Sequence, residues 1–442
     1  MQLVSSMRRL WRHSLFRRLF AVRLVTQAAD GCLQVGMASY ILFSPTHAPD
    51  AWSIALALAV TLLPFSIVGP LVGVVLDRWN RRSVIYVTDA IRVFAAVMLA
   101  GMVATGLRTT FSSIVFFSIV LLAMSLNRFL MAGLGASLAH TVDDDEYLLA
   151  NSVISPVGPL GVVIGAAVAA ALRLGLDGIL PSYQADAFIF IAAAIGFALS
   201  ALVATRFEPD ALGPDVRTQV KVSEVLDGLR EAAAHLYQRR PALLGIATLG
   251  AHRVVYGLVM TGAILVHRNH LNTPEQLNTA LVQLGIWAGA TGAGYLLAAV
   301  VTPAGTNGFG VRTWIIVLTV VSALVQAFPG SWFAHPALVV ASFVLGICIQ
   351  SLKNCVDTLA QAHIADGMKG RVFTIFDMVF NAAMVLGAVI GALVLPTDGA
   401  SLPVFLGAAA AFGLIAVGFG TLSHPIGNHD FNKGTRRSRI PA

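Results

Sequence analysis

Charge is what this sequence has least of. Only 12% of its 442 residues are Asp, Glu, Lys or Arg, about half the share found in soluble domains, so the chain cannot cover a globule of its size with a polar exterior. Cysteine is scarcer still. The three present, Cys32, Cys348 and Cys355, fall inside apolar runs, and no CxxC or paired Cys/His spacing offers a disulfide framework or a metal site. Catalytic signatures are missing too: there is no GxSxG, HExxH, Walker loop or dinucleotide glycine pattern, and Gly308-Phe-Gly310 follows no strand. These absences point away from an enzyme, a bound cofactor and a metal, and no ATP-binding domain is encoded to drive a pump. The first apolar run is followed by many others and lacks a convincing small-x-small cleavage site, so a removable leader is not expected.

What is abundant is apolar surface. Hydrophobic residues make up 57% of the chain and the mean hydropathy is +0.79, which makes lipid the implied solvent. A helix crossing a hydrocarbon core of about 30 Å takes about 20 mainly apolar residues. Twelve such runs are predicted, at 18–44, 51–72, 83–105, 111–138, 149–172, 185–205, 241–266, 279–302, 312–333, 336–361, 371–395 and 400–422. The longest polar stretch, 206–240, separates six runs from six. The expectation is an all-α membrane protein of twelve transmembrane helices in two six-helix pseudo-repeats: an N-terminal bundle over 1–206, a linker over 207–240, and a C-terminal bundle over 241–442 with a basic tail. Within the linker, Val225, Leu229, Ala232, Ala233 and Leu236 repeat with helical period, predicting a short amphipathic helix over 222–237, on the membrane surface or in solvent.

The net charge of +7 would suit nucleic acid if its cations were clustered, but their positions report topology instead. Most of the 29 Lys and Arg residues lie at the N-terminus, after the second run, in the central stretch, around Lys369 and Arg371, and in the tail. Only Arg108, Arg173 and Arg268 fall in the alternate loops. By the positive-inside rule both termini are cytoplasmic. The segment His140 to Tyr147, with four consecutive acids and no cation, is the exception.

Between the second and third runs stands Gly69-Pro-Leu-Val-Gly73-Val-Val-Leu-Asp77-Arg78-Trp-Asn80-Arg81-Arg82. Gly73 permits close helix approach, Asp77 suits a helix N-terminus, and Arg78, Arg81 and Arg82 can clamp the inner side. The run resembles the signature loop of the major facilitator superfamily in composition, spacing and place. That resemblance implies a secondary transporter working by alternating access between two six-helix halves. The corresponding stretch of the second half, Gly305 to Arg312, keeps little of the pattern. Gly158-Pro159, within a run of small residues from Ser155 to Gly165, is similar to the helix-5 motif of facilitator-type antiporters. Gln27, Asp30, Gly31 and Gln34 in the first run, Asp89 and Arg92 in the third, Ala150-Asn151, and Gly370-Arg371-Val372-Phe373 together resemble the macrolide-efflux and enterobactin-exporter branch. Export of a lipophilic or amphipathic compound of drug, macrolide or siderophore type is what this branch implies. Lysophospholipid transporters share much of the pattern, so a lipid transporter or flippase not coupled to protons is the alternative.

Ionisable residues inside spanning helices are functional candidates by default. Asp30 stands mid-run with Gln27 and Gln34 on nearby faces and Arg23 two turns earlier; it is read as a proton site or as the partner of Arg23, Arg92 or Arg128. Asp89 and Arg92, three apart, suit a self-satisfying pair. Arg128 has no acid in its own run and needs a partner elsewhere. In the second half, Lys353 is expected to form a neutralised buried pair with Asp357 or Asp377. His252, midway along the seventh run, is read as a group that titrates near physiological pH or as a histidine satisfied by a neighbouring helix, the expected case, while Arg253 beside it and Tyr256 a turn later equally suit an anionic substrate group. The whole reads as a proton-coupled exporter, a monomer in the cell's inner or plasma membrane whose partners are lipid, a small amphipathic substrate and protons, with no nucleic acid.

Overall fold

The computed structural model describes residues 9–42, 50–67, 69, 72, 79–106, 109–143, 146–213, 222–273 and 275–433. Gly73, Asp77 and Arg78 of the loop motif lie outside them. The major elements are helices: α1 Ser14–Leu42, α2 Ala51–Ile67, α3 Arg81–Ala104, α4 Thr110–Ser137, α5 Tyr147–Ile154, α6 Val157–Gly175, α7 Ser182–Ala204, α8 Val222–Gln238, α9 Arg240–Leu265, α10 Leu277–Phe309, α11 Val311–Ala327, α12 His335–His363, α13 Asp366–Val394 and α14 Leu402–Ser423. Ten spans among the described residues are long and apolar enough to cross a membrane, α5 and α6 counting as one. Together with α1 and the shorter apolar α2 they stand in the order of the twelve predicted runs, and no strand occurs among the described residues. The chain is a multi-pass membrane protein.

Two compact units are formed, residues 1–44 with 67–225 and residues 45–66 with 226–442. The division between 225 and 226 falls inside the polar stretch identified from sequence. Helix α2 up to residue 66 groups with the second unit, where Ser66 Oγ donates to the carbonyl of Met378 at 3.1 Å and Leu62 packs with Tyr256 and Phe412.

In the first unit α1 is the hub. Its Phe16, Leu19 and Val22 join Ile85 of α3, Leu130 and Leu134 of α4, and Ile154 of α5 in one core. Further along, α1 crosses α6 so closely that a Cβ on Gly31 would overlap the carbonyl of Val162, and one on Gly165 the carbonyl of Ala28. Only glycine allows backbones to meet in this way. The predicted fifth helix is broken at Ser155–Pro156. Pro159 cannot donate a backbone hydrogen bond, and α6 places it in its first turn, where that donor would have no intrahelical partner in any case.

The second unit repeats the crossing. A Cβ on Gly257 of α9 would overlap the carbonyl of Met384, and one on Gly387 of α13 the carbonyl of Val254. Helices α10 and α12 do the same through Gly294 and Gly346, which face the carbonyls of Phe343 and Thr291. Of the ten spans, α9 is the most enclosed. The amphipathic α8 is a packed element: Ala232 and Leu236 are buried in a core with Leu359, Val372 and Phe376, and Glu231 accepts from Arg371 at 3.0 Å.

Candidate functional site

Five polar side chains of the first unit are drawn together around Arg92. This residue, Asp30 and Asp89 are all 0% exposed. Arg92 Nη2 pairs with Asp30 Oδ1, while Nη1 lies 3.1 Å from Asp89 Oδ1 and 3.1 Å from Thr26 Oγ1. Thr26 in turn donates to Asp89 Oδ1 at 3.1 Å. Gln27 Nε2 donates to Asp30 Oδ2 at 2.9 Å, holding the carboxylate from its other side, and reaches Asn127 Oδ1 of α4 at 3.5 Å. The guanidinium carbon sits 3.9 Å from the centroid of the Phe197 ring. Two carboxylates therefore face one guanidinium in a fully buried core. With both ionised the cluster has one negative charge in excess, and a single proton neutralises it. In such surroundings each buried charge must be paired or hydrogen-bonded to be tolerated.

Of the partners considered for Asp30, Arg92 is the one that reaches it. The i,i+3 pair of Asp89 and Arg92 exists, but as one side of this larger cluster. Arg23 has no ion pair among the described residues; its guanidinium and the Gln27 amide lie against Gly158, where a Cβ would meet both at 3.6 Å. The Gly158-Pro159 motif thus packs on the face of α1 that carries the site. Arg128 points toward Gly69, whose Cβ would lie 3.6 Å from its Nε. Gln34 is half-buried one turn beyond Asp30.

Arg81 and Arg82 act on helix ends. Arg81 Nη1 donates to the carbonyls of Ala136 at 2.9 Å and Leu212 at 3.1 Å; Arg82 Nη2 donates to Thr205 O at 3.0 Å. Cations at the C-termini of α4 and α7 meet unpaired carbonyls and the negative end of the helix dipole. Asn80 caps α3 by accepting from Arg82 N at 3.0 Å. The acidic segment that stood without a cation in the sequence has its partners in space: Glu146 accepts from His13 at 2.8 Å, with Arg9 Nε 3.9 Å away. His13, Asp143 and Glu146 offer ligand atoms within 4.8 Å of one another, the one such grouping among the described residues.

In the second unit His252 and Arg253 are both buried, yet they diverge. Ser322 Oγ donates to Leu318 O at 2.9 Å, so it is left to accept from His252 Nε2 at 3.0 Å, and the imidazole packs on Phe412 with centroids 4.5 Å apart. Arg253 lies over the Phe380 ring at 3.8 Å, with Tyr256 and Tyr295 beside it. Lys353 pairs with Asp357 at 2.8 Å, one helical turn away, but the pair is not buried as the sequence suggested: its side chains are 29% and 27% accessible. Asp377 is half-buried on α13, one turn before Asn381, whose amide donates to its backbone carbonyl at 2.8 Å.

Sequence reasoning missed several buried groups. Arg173 and Arg268, assigned to loops by their positions, are each only 3% exposed. Arg173 closes the last turn of α6 against Asp186 at 3.1 Å, and Ser39 Oγ donates to the same carboxylate at 2.6 Å. Arg268 lies in the π-helical extension Val266–His270. There His267 Nδ1 donates to Ala263 O at 2.7 Å, which leaves Nε2 to accept from His335 Nδ1 at 3.1 Å. Thr26, Asn127 and Phe197 are ordinary residues in sequence, and nothing but the fold marks them.

No family model matches the chain. It is 32% identical over 400 residues to uncharacterized MFS-type transporters of Mycobacterium tuberculosis and Mycobacterium bovis, an alignment covering 88% of this chain and 87% of each relative. Among solved structures it is similar to the nucleoside transporter NupG, with a TM-score of 0.68 at 14% identity over 93% of this chain and 99% of that one. It is also similar to a peptide transporter, POT, with a TM-score of 0.66 at 12% identity over 93% and 94%. A bacterial homologue of the iron transporter ferroportin matches at 0.53 and 16% identity over 92% of this chain and 99% of that one. At such identities these structures speak for the fold alone.

Proposed function

The chain belongs to the major facilitator superfamily, as its mycobacterial relatives establish, and from that premise we propose that it is a proton-coupled exporter of a lipophilic or amphipathic small molecule. The carrying observation is the cluster of Asp30, Asp89 and Arg92, fully buried and holding one carboxylate more than it has cations. Alternating access exposes such a site to each side in turn. A carboxylate that gives up and takes back a proton as its surroundings change supplies the coupling. The groups facing Asp30 are Gln27 on its own helix, Arg92 and Asp89 on α3, and Asn127 on α4 through Gln27. Of these groups the two carboxylates are the ones that can carry a proton without giving up the guanidinium charge.

The reading places the protein in the cell's inner or plasma membrane as a monomer with both termini cytoplasmic, supported by the concentration of Lys and Arg in alternate loops. The small-residue crossing of α1 and α6, with Gly158-Pro159 at its edge, supports an antiporter.

The test is flux in proteoliposomes with and without an imposed pH gradient, comparing wild type with Asp30→Asn across a macrolide, a catecholate siderophore and a lysophospholipid. Gradient-driven flux of one of these, lost in Asp30→Asn, is the expected result. Flux indifferent both to pH and to the substitution would sink the coupling claim and leave the alternative of proton-independent lipid movement.

A further inference from the structure

Arg253 carries a charge that no carboxylate among the described residues meets. Arg92, Arg173 and Lys353 each have an acid within 4.0 Å. Arg253 is only 8% exposed and has none. Its Nε points to the carbonyl of Phe380 at 3.5 Å, and its guanidinium carbon lies 3.8 Å from the centroid of the Phe380 ring. Tyr295 is its side-chain hydrogen-bond partner, and it makes no ion pair among the described residues. The guanidinium is therefore held by a carbonyl, a ring and a phenol, with no anion to offset its charge.

The guanidinium has the right neighbours for a ligand. Tyr256, 3% exposed, precedes the crossing glycine Gly257 by one residue; Tyr295 of α10 lies beside both Arg253 and Tyr256. Phenolic hydroxyls add donors to a guanidinium fork, and no acid competes for it. His252, the titratable group next in sequence, turns away to Ser322. Apolar side chains surround the polar group: Leu62, Val255, Leu258 and Ile349 belong to the packing around Tyr256. A planar fork stacked on a ring is pre-organised for two parallel hydrogen bonds to one acidic group.

We propose that Arg253, with Tyr256 and Tyr295, binds the anionic head of an amphipathic substrate, a carboxylate or phosphate carried on an apolar body. The assignment deepens the exporter reading by giving its substrate a charge, and it rests on that reading for the word substrate; the binding itself requires neither transport nor a proton gradient. Two sources offer the same chemistry, a free amphipathic acid and a lysolipid headgroup.

The experiment uses the full chain purified in a neutral maltoside detergent. Dissociation constants are measured for dodecanoate, for lauroyl lysophosphatidate, and for dodecanol and dodecyltrimethylammonium as neutral and cationic controls. At least one anionic probe is expected to bind about tenfold tighter than dodecanol, and Arg253→Gln to remove that advantage while leaving dodecanol unchanged. Loss confined to dodecanoate identifies the free acid; loss confined to lysophosphatidate identifies the headgroup; loss for both assigns the head chemistry alone. An unchanged constant for the anionic probes in Arg253→Gln, or a wild type that binds dodecanol as well as either anion, overturns the proposal. Should Arg253→Gln fail to fold, Arg253→Lys, which keeps the charge and discards the fork, and Tyr295→Phe are read instead, and unchanged affinity in both overturns it. Loss of gradient-driven flux in Asp30→Asn with anion binding intact leaves the site standing, and loss of the site leaves the coupling claim untouched.

Discussion

The two units cross a pair of helices in the same way, α1 with α6 and α9 with α13, and then put opposite chemistry on the crossing. On each helix the glycine and the carbonyl that meets the other helix's glycine lie three residues apart: Ala28 and Gly31 against Val162 and Gly165, and Val254 and Gly257 against Met384 and Gly387. Aligned on these crossings, Asp30 corresponds to Tyr256, Gln27 to Arg253 and Thr26 to His252. The first unit thus has an acid where the second has a phenol, and an amide where the second has a cation. One crossing holds a closed ionic cluster with a surplus negative charge; the other holds an arginine with no acid. A shared backbone geometry leaves the side chains on it free to differ in charge.

The sharpest way to break this comparison is to remove the arginine from each unit. Arg92→Met leaves two buried carboxylates facing each other without a cation, and stripping one partner from a buried pair costs about 3–5 kcal/mol. Arg253→Met removes a buried charge that no carboxylate among the described residues offsets, so stability should fall far less than in Arg92→Met. Melting temperatures of the two variants in the same detergent check this; equal losses would mean that Arg253 has a counter-charge after all. Next in size are the crossings themselves. Gly165→Val and Gly387→Val each force a Cβ into a carbonyl, and overpacking of this kind costs about 1–3 kcal/mol or more. If the units share one geometry, the two variants lose comparable stability, measured as detergent-solubilised yield and melting temperature.

Much of this was legible in the sequence and some of it could not be. Twelve apolar runs and their order follow from hydropathy, a local property, whereas hydropathy reads through the break at Ser155–Pro156 as part of one run. Asp30, Asp89 and Arg92 stood out because a charge in an apolar run is conspicuous wherever it points. Which of Arg23, Arg92 and Arg128 reaches Asp30 depends on how helices rotate against one another, and spacing within one helix carries no such information. Arg173 was read by its place at the end of a run, although its partner Asp186 sits in the first turns of the following helix. The repeat was sought in a loop motif around Gly305 to Arg312, where it has faded, and survives in the crossing glycines Gly31, Gly165, Gly257 and Gly387. The grouping of α2 with the second unit has no local signature at all.

A smaller effect follows from charge balance in the first unit. Asp30→Asn removes the surplus carboxylate and leaves Arg92 matched one to one by Asp89, so the cluster loses a charged hydrogen bond and keeps its neutrality. The expected cost is about 1–2 kcal/mol, well short of that of Arg92→Met, and the variant remains folded for the flux measurement. A melting temperature as low as that of Arg92→Met would show that Asp30 is a structural member of the pair, and loss of flux in Asp30→Asn could then no longer be assigned to coupling.

The smallest effect belongs to the second unit's other charges. Lys353 and Asp357 form an ion pair at 2.8 Å with the same sign pattern as Arg92 and Asp30, but their side chains are 29% and 27% exposed. Water competes for both groups, and an i,i+4 pair of this kind contributes about 0.3–0.5 kcal/mol. Lys353→Met should therefore shift the melting temperature by a degree or two at most, and raising the ionic strength should remove even that difference from wild type. A loss in Lys353→Met near that of Arg92→Met would mean that burial does not separate the units' ion pairs. The contrast between a closed core cluster in one unit and screened, replaceable pairs in the other would then rest on Arg253 alone.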